Sequence, residues 1–325
     1  MLQTDLVFLF HLTLSASAII FLNAVEGGRI KGLRALAIVP FAPVVVQFSF
    51  GGLFSGFVSL YSRSATYIGT WIFIAVLACL MVGNERFRKL YVRFSFQIAL
   101  YFSALFLFFI FFLPVVLHEI STQMFLLSGL VAVGVASLLL LVLSRVAPVI
   151  EKRERTRSAR SIAVIWAVVN ILYFSNAIPP LPLALKDAGV YHAVAHRADG
   201  IYELQGEPRT WLETFLPFET TYHRVSGEGA VVFTSIFAPT GLSTPVLHEW
   251  QRYDEVARTW VTKNELSFTI NGGRDGGYRG YSRKYGLETG RWRVNVILPS
   301  GSIIGRVAFE VIEVATPIQL ETTAH

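Results

Sequence analysis

Six long apolar runs occupy the first 180 residues of this chain, and they limit its fold more than any other feature. They lie at about 6–24, 34–54, 67–83, 94–117, 124–143 and 161–178. A helix needs roughly 20 apolar residues to cross the hydrocarbon core of a bilayer, because each residue rises only ~1.5 Å. In lipid the backbone must satisfy its own hydrogen bonds, so each run is expected to be a helix. The third run is short, but Tyr67 and Trp71 sit where an interfacial belt would place them. Pro40 and Pro43 should kink the second, since proline removes a backbone donor. The first run opens with Asp5 rather than a positive stretch, which argues against a signal peptide. Only 15% of the residues are charged, well below the quarter or so typical of soluble domains.

Charge divides the chain in two. Residues 1–179 carry a net +8 and residues 180–325 a net −2. The basic character therefore belongs to the apolar half. No basic domain is present to neutralise phosphates, so a nucleic-acid partner is not expected. Arg29, Lys31 and Arg34 follow the first run; Arg86, Arg88, Lys89 and Arg93 follow the third. Arg145, Lys152, Arg153, Arg155, Arg157 and Arg160 follow the fifth. The intervening short loops hold only Arg63. Cytoplasmic loops are the ones rich in Lys and Arg. This orientation places both termini, and everything after residue 180, on the extracytoplasmic side. Membrane lipids are then one expected partner.

Inside the runs, His11 is the one titratable side chain well within a helix. An interhelical hydrogen bond or an interfacial position is the simpler reading for it, ahead of a proton relay. The stretch FSFGGLFSGFVSLYSR, from Phe48 to Arg63, reads as a helix end followed by an exposed turn, ahead of a re-entrant loop lining a cavity. The phenylalanine-rich fourth run (FSALFLFFIFFLP) could face lipid or another subunit, and lipid exposure is the default expectation. Cys79 is the only cysteine, so no disulfide can form within the second half; about 145 residues can bury a sufficient core without one.

From Gly189 onward the period changes. GAVVFTSIFA, STPVLHEWQRY, ARTWVTK, ELSFTI, YRGYSRK, GRWRVNVIL and SIIGRVAFEVIEV are short and rich in β-branched and aromatic residues, with turn signals roughly every ten residues. That spacing predicts an all-β, immunoglobulin-like antiparallel sandwich over 181–325, after a transmembrane helical domain over 1–180. In RWRVNVIL, Trp292, Val294 and Val296 alternate with Arg291, Arg293 and Asn295, which makes Trp292 a core residue.

NGGRDGGYRGYSRKYG, from Asn271 to Gly286, is the most unusual segment. It lacks the lysine and following helix of a phosphate-binding loop and the spacing of a dinucleotide fingerprint. ELSFTI, a glycine turn and YRGYSRK are expected to form a β-hairpin. Arg279, Tyr281 and Arg283 then share one face, opposite Tyr278, Gly280 and Ser282. Two readings of that face stand: a charged edge that discourages sheet aggregation, or a site for an anionic or sugar ligand built from tyrosine rings and guanidinium forks. The candidate surface is Arg274, Tyr278, Arg279, Tyr281 and Arg283, with His248 and Trp250 as weaker members. His192 and His196 would lie some 13 Å apart on one strand, too far to share a metal, given ~3.3 Å per residue. His223, His248 and Glu249 have no ligand spacing either. No nucleophile elbow is present. No catalytic residue, metal or cofactor is assigned.

GGLFSGFVSLYSRSA, VGNERFRK, YFSNAIPPLPLALKDAGVYHAV, VLHEWQRYD, INGGRDGGYRGYSRK and GRWRVNV followed by IGRVAFEV together resemble the bacterial membrane proteins defined by the domain of unknown function DUF2914. The resemblance spans about residues 50–313. It implies a multi-helix inner-membrane region followed by a β-sandwich, and a further hydrophobic segment ahead of residue 1. It supplies no reaction or ligand. The expected function is a cell-envelope binding or scaffolding protein whose outer domain contacts a protein, glycan or lipid headgroup. The alternative is a lipid or small-molecule transporter or membrane enzyme working through the helices, with the outer domain as a lid. A sensor would need a partner for its output.

Overall fold

The computed structural model describes residues 2–65, 68–86, 90, 93–147, 152–198, 200–208, 220–273 and 276–325. The chain forms two compact units, Met1–Pro182 and Leu183–His325. Tyr67, Arg88, Lys89 and Arg274 lie outside the described residues.

The first unit is helical: α1 (Leu2–Glu26), α2 (Leu33–Ile38), α3 (Ala42–Ser62), α4 (Ile68–Arg86), α5 (Phe94–Leu117), α6 (Thr122–Val146) and α7 (Lys152–Phe174). The expected kink is a 3₁₀ turn, Val39–Phe41, which contains Pro40 and separates α2 from α3. Five of the segments are long and apolar enough to cross a membrane, and Gly69–Gly83 of α4 is a shorter apolar stretch. Ile72 on α4, Leu130, Leu138 and Leu141 on α6 and Ile171 on α7 are each more than half exposed, so apolar groups cover the outside as well as the core.

Three expectations for this half are corrected. The phenylalanine-rich helix α5 does not face outward. Phe102, Phe106, Phe108 and Phe111 are almost completely buried, and the exposed large apolar residues of α5 are Val116 and Leu117 at its end. Large rings fill more of a helical core than lipid contact would need. Tyr61 Oη donates to Leu107 O at 3.0 Å, tying α3 to this helix. Second, the arginine-rich segment before the last run is not a loop. Lys152–Arg160 forms the first turns of α7, because Lys, Arg and Glu are good helix formers. Glu154 pairs with Arg157 one turn on, and Ser158 Oγ donates to Glu154 O.

Third, Phe48–Ser62 is helix interior rather than a turn. Its glycines serve close packing. A Cβ on Gly52 would lie 2.9 Å from the His11 ring, and one on Gly56 would lie 2.4 Å from Phe8 Cε1. Phe8 cannot easily retreat, since it stacks on Phe57 at 5.0 Å and meets Phe108 edge-on at 6.2 Å. Gly56→Val should therefore destabilise the helical unit by about 1–3 kcal/mol through overpacking. A melt of the full chain in detergent measures this; an unchanged melt would mean that α1 and α3 are not packed here.

Among the described residues the second unit has eleven strands: β1 (Ala184–Tyr191), β2 (Ala193–His196), β3 (Tyr202–Gly206), β4 (Thr220–Arg224), β5 (Ala230–Phe237), β6 (Ser243–Asp254), β7 (Thr259–Asn271), β8 (Tyr278–Lys284), β9 (Gly290–Ile297), β10 (Ile303–Glu313) and β11 (Glu321–Ala324). They form sheets ordered β1-β5-β8, β4-β10-β9-β6-β7 and β11-β3-β2. Val190, Ala230 and Val232 from the first sheet and Tyr222, Trp250, Trp292, Val294, Phe309 and Val311 from the second share one buried cluster. Trp292 is core, as its alternation predicts. ARTWVTK and ELSFTI merge into the single strand β7. The pairing is antiparallel except for β4 with β10, which is parallel.

The expected hairpin is absent. β7 pairs with β6, whereas β8 pairs with β5 in the other sheet. The glycine-rich segment therefore carries the chain from one sheet to the next. Its glycines are needed for close approach. A Cβ on Gly272 would lie 1.8 Å from Pro239 O, and Gly277 (φ +83) presses on Ser235 and Ile236. Gly280 leaves room for the Phe268 ring, whose Cε2 is 2.5 Å from where a Cβ would stand.

Candidate functional site

Among the described residues β8 pairs along one edge only, with β5. Strand alternation sorts its side chains. Ser282 points into the unit and is buried, while Tyr281 is 46% exposed and Arg283 is exposed. Arg279, half-buried, donates through Nη1 to Gly200 O at 3.4 Å. Arg283 Nη1 donates to Tyr285 Oη at 3.2 Å. The Tyr281 ring meets Tyr202 of β3 edge-on at 6.4 Å. Tyr202 packs in turn on Phe233 at 5.6 Å and on His196 at 4.5 Å. Two guanidinium groups thus flank an aromatic ring that is held from beneath by the third sheet. An arginine fork matches carboxylate and phosphate geometry, and a tyrosine face suits a sugar ring. Tyr278 is half-buried at the start of β8 and shares the inward register of Gly280 and Ser282.

His248 and Trp250 do not belong to that surface; both are completely buried. Their alternation on β6 places them on the inner face with Val246. His248 Nε2 lies 3.1 Å from Thr234 Oγ1, and Nδ1 lies 2.8 Å from Ser282 Oγ. Trp250 Nε1 donates to the same Ser282 Oγ at 3.0 Å. Thr234 Oγ1 donates to Gly280 O at 3.3 Å. One proton arrangement satisfies all four groups. Trp250 N–H donates to Ser282, Ser282 O–H to His248 Nδ1, His248 Nε2–H to Thr234, and Thr234 O–H to the Gly280 carbonyl. Burial pushes the His248 ring down from its ordinary 6.5 to about 4, in keeping with this neutral form.

His192 also departs from expectation. It falls in the break between β1 and β2 rather than along one strand with His196. Its Nδ1 lies 2.8 Å from Glu228 Oε1 and its Nε2 3.2 Å from Glu207 Oε1. Glu207 also takes the backbone N–H of His223 and lies 2.8 Å from His223 Nδ1. The His192 ring stacks on Tyr222 at 4.4 Å. This cluster ties the β1–β2 corner to β4. Among the described residues no group of three or more His, Cys, Asp or Glu has the geometry to hold a metal ion.

The outward face of the five-stranded sheet carries a second row of arginine–aromatic contacts. Arg291 lies 4.1 Å from the Tyr253 ring centroid and Arg293 lies 4.2 Å from that of Trp260. Arg293 Nε donates to Gln251 Oε1 at 2.7 Å. Desolvation, then Arg306, lowers the Arg293 guanidinium to about 10, opposed by Glu249. Sequence alternation marks Arg291 and Arg293 as outward-facing, but nothing local pairs them with rings on β6 and β7. Tyr202 and Tyr285 were missed for different reasons. Tyr285 continues the Arg283 face by a step of two, a signal that was there to be read. Tyr202 reaches Tyr281 only through pairing across sheets.

Residues 243–311, which run from β6 into β10, match the family model DUF2914, described as a protein of unknown function. Over these residues the chain is similar to the DUF2914 family. The match holds β8 with its Arg279, Tyr281 and Arg283, and agrees with the resemblance read from the sequence. No curated protein matches the chain. Among solved structures, an alkylpurine DNA glycosylase of Pseudomonas fluorescens, AlkC, bound to DNA containing an abasic site analogue, is similar at 11% identity over 95% of this chain and 99% of its own, with a TM-score of 0.24. That likeness is too low to carry fold or function.

Proposed function

We propose that this is a multi-pass protein of the bacterial inner membrane whose DUF2914-containing β unit, an immunoglobulin-like sandwich, faces the extracytoplasmic side and binds an anionic glycan of the cell envelope. The observation that carries this reading is the outward face of β8, where Arg279 and Arg283 flank the exposed, edge-supported ring of Tyr281. The unit is slightly acidic overall, so this strip is a local concentration of positive charge rather than part of a general one. Stacking confers affinity for a sugar face, and guanidinium forks select its carboxylate or phosphate. The helical unit supplies the anchor, and the positive-inside rule, applied to its three arginine-rich segments, supports a cytoplasmic basic end.

The test is binding of the full chain in detergent to acidic and neutral envelope polysaccharides. Binding to the acidic sugar should weaken about tenfold or more in Arg279→Ala and in Tyr281→Ala, and weaken as salt is raised. Unchanged binding in both variants would remove the β8 face from consideration. A second reading, transport or enzymatic work by the helices, draws on α1, where Asp5 Oδ1 and His11 Nδ1 are buried without a hydrogen-bond partner among the described residues.

A further inference from the structure

We infer that the helical unit holds an anionic phospholipid in a groove between the ends of α1 and α6, with Arg29 and Arg145 as its headgroup ligands. This rests on the membrane placement proposed above and is independent of the glycan face. The groove has a volume of about 780 Å³ and is lined by Ile20, Ala24, Arg29, Ile30, Ser144, Arg145 and Val146. Its size falls within the roughly 300–1,000 Å³ common for small-molecule sites.

The local sequence shapes it. After α1 the chain turns at Gly27 and Gly28, the latter with φ +72. Gly27 lies directly on the end of α6; a Cβ there would stand 2.9 Å from Ala147 Cα. Only a residue without a side chain allows that approach. The turn brings Arg29 onto α6, where its Nη2 donates to Arg145 O at 3.1 Å. A guanidinium carries five N–H donors, so this bond fixes the group while leaving others for a ligand. The carbonyl end of α6 also favours a cation at this position.

Two features select the occupant. The walls formed by Ile20, Ala24, Ile30 and Val146 are apolar and suit an acyl chain. Arg29 and Arg145 are exposed beside them, with Lys31 and Arg34 exposed further along the chain, against the single carboxylate of Glu26 in that segment. A zwitterionic lipid offsets its own phosphate with a cation and brings no net charge to the two arginines, and a free phosphate leaves the apolar walls without a partner. An anionic phospholipid satisfies both, and basic pockets between helices recognise such headgroups.

The experiment compares phosphatidylglycerol, phosphatidylcholine and inorganic phosphate added to the delipidated full chain in neutral detergent, with bound lipid read by native mass spectrometry. Phosphatidylglycerol should bind about tenfold tighter than phosphatidylcholine, the factor expected of one charge-assisted contact. Arg145→Gln is the clean variant, because Arg29 bonds the backbone carbonyl at 145 and that bond survives the change. It should bring the preference to within about twofold. Ile30→Trp, which fills the groove without altering charge, should lower binding of both lipids. Equal binding of the two lipids, or a preference unchanged in both variants, overturns the site. Competition by inorganic phosphate as effective as that by phosphatidylglycerol overturns it as a lipid site. Carbonate washing of membranes separates the two levels. Release of the chain would overturn the membrane placement and this site together, whereas a retained chain without lipid preference would overturn the site alone.

Discussion

Gly272→Ala should be among the most damaging single substitutions in the β unit. The added Cβ would stand 1.8 Å from Pro239 O, 2.7 Å from Pro239 C and 2.8 Å from Ala238 O. These are backbone atoms, so no side-chain rotation relieves the clash. The backbone is also fixed on both sides. Gly272 N donates to Leu242 O at 2.8 Å and Gly273 N donates to Ala238 O at 3.1 Å. Moving the 238–242 turn away breaks those bonds and disturbs the start of β6. The expected loss is about 3 kcal/mol or more, at the upper end for overpacking. For a unit of this size that lowers the melting temperature by about 10 °C. Gly276→Ala is the control, since among the described residues its added Cβ would meet only Arg279 Nη2, at 3.5 Å, and should be nearly neutral. Hydrogen exchange of β6 and β7 in the full chain reads both. A tolerated Gly272→Ala would favour the hairpin that the local sequence suggests over the crossing between sheets.

That contrast shows what local pattern can carry. Asn271–Gly286 has every short-range mark of a hairpin: two β-rich segments around a glycine turn. The choice between pairing with β7 and pairing with β5 is made by contacts far away in sequence. Ser235 Oγ donates to Gly276 O at 2.7 Å, and Gly277 presses on Ser235 and Ile236 of β5. Neither contact leaves a trace in a ten-residue window. The same limit explains α5. A run of phenylalanines reads as equally apolar whether it meets lipid or other helices, and a small residue against it, Gly129 on α6 beside Phe106, points to a buried position. Most helix positions in the first unit were legible because hydropathy fixes them; the end of α3 was not, because its glycines and serines resemble a turn. The start of α7 was not, because charged residues with high helix propensity resemble a loop when charge alone is counted.

On the candidate site, strand alternation alone separated Arg279, Tyr281 and Arg283 from Ser282, and the structure keeps that division. The error concerned His248 and Trp250. Polar or amphipathic residues in a strand read as surface by default, yet the alternation of β6 already set both in phase with Val246. A histidine and a tryptophan are buried together here because Ser282 and Thr234 satisfy their nitrogens.

Burying His248 makes the β unit sensitive to acid. In the unfolded chain the imidazole titrates near its ordinary 6.5, whereas in the folded protein burial lowers it to about 4. The unfolded state therefore binds more protons between these values, and stability falls as pH is lowered through that window. The contribution is fully present above about 6.5 and is lost as pH approaches 4. At about 1.4 kcal/mol per pH unit, the loss amounts to about 3 kcal/mol, a large fraction of the stability of a small domain. Asp254 does not account for it. Its carboxyl is held below the ordinary 3.8 mainly by the Ala257 and Val256 backbone N–H groups, so its own contribution is lost only at lower pH. His248→Gln keeps an amide donor and acceptor between Ser282 and Thr234 but has nothing to titrate. Denaturant unfolding of the β unit, followed by hydrogen exchange from pH 7 to pH 4, should show a steep decline in the parent protein. The decline should be shallower in the variant by most of that ~3 kcal/mol, even though the variant is less stable at pH 7. Parallel curves for the two proteins would mean that His248 takes up its proton in the folded state near 6.5, and that the directed chain from Trp250 to the Gly280 carbonyl does not hold it neutral.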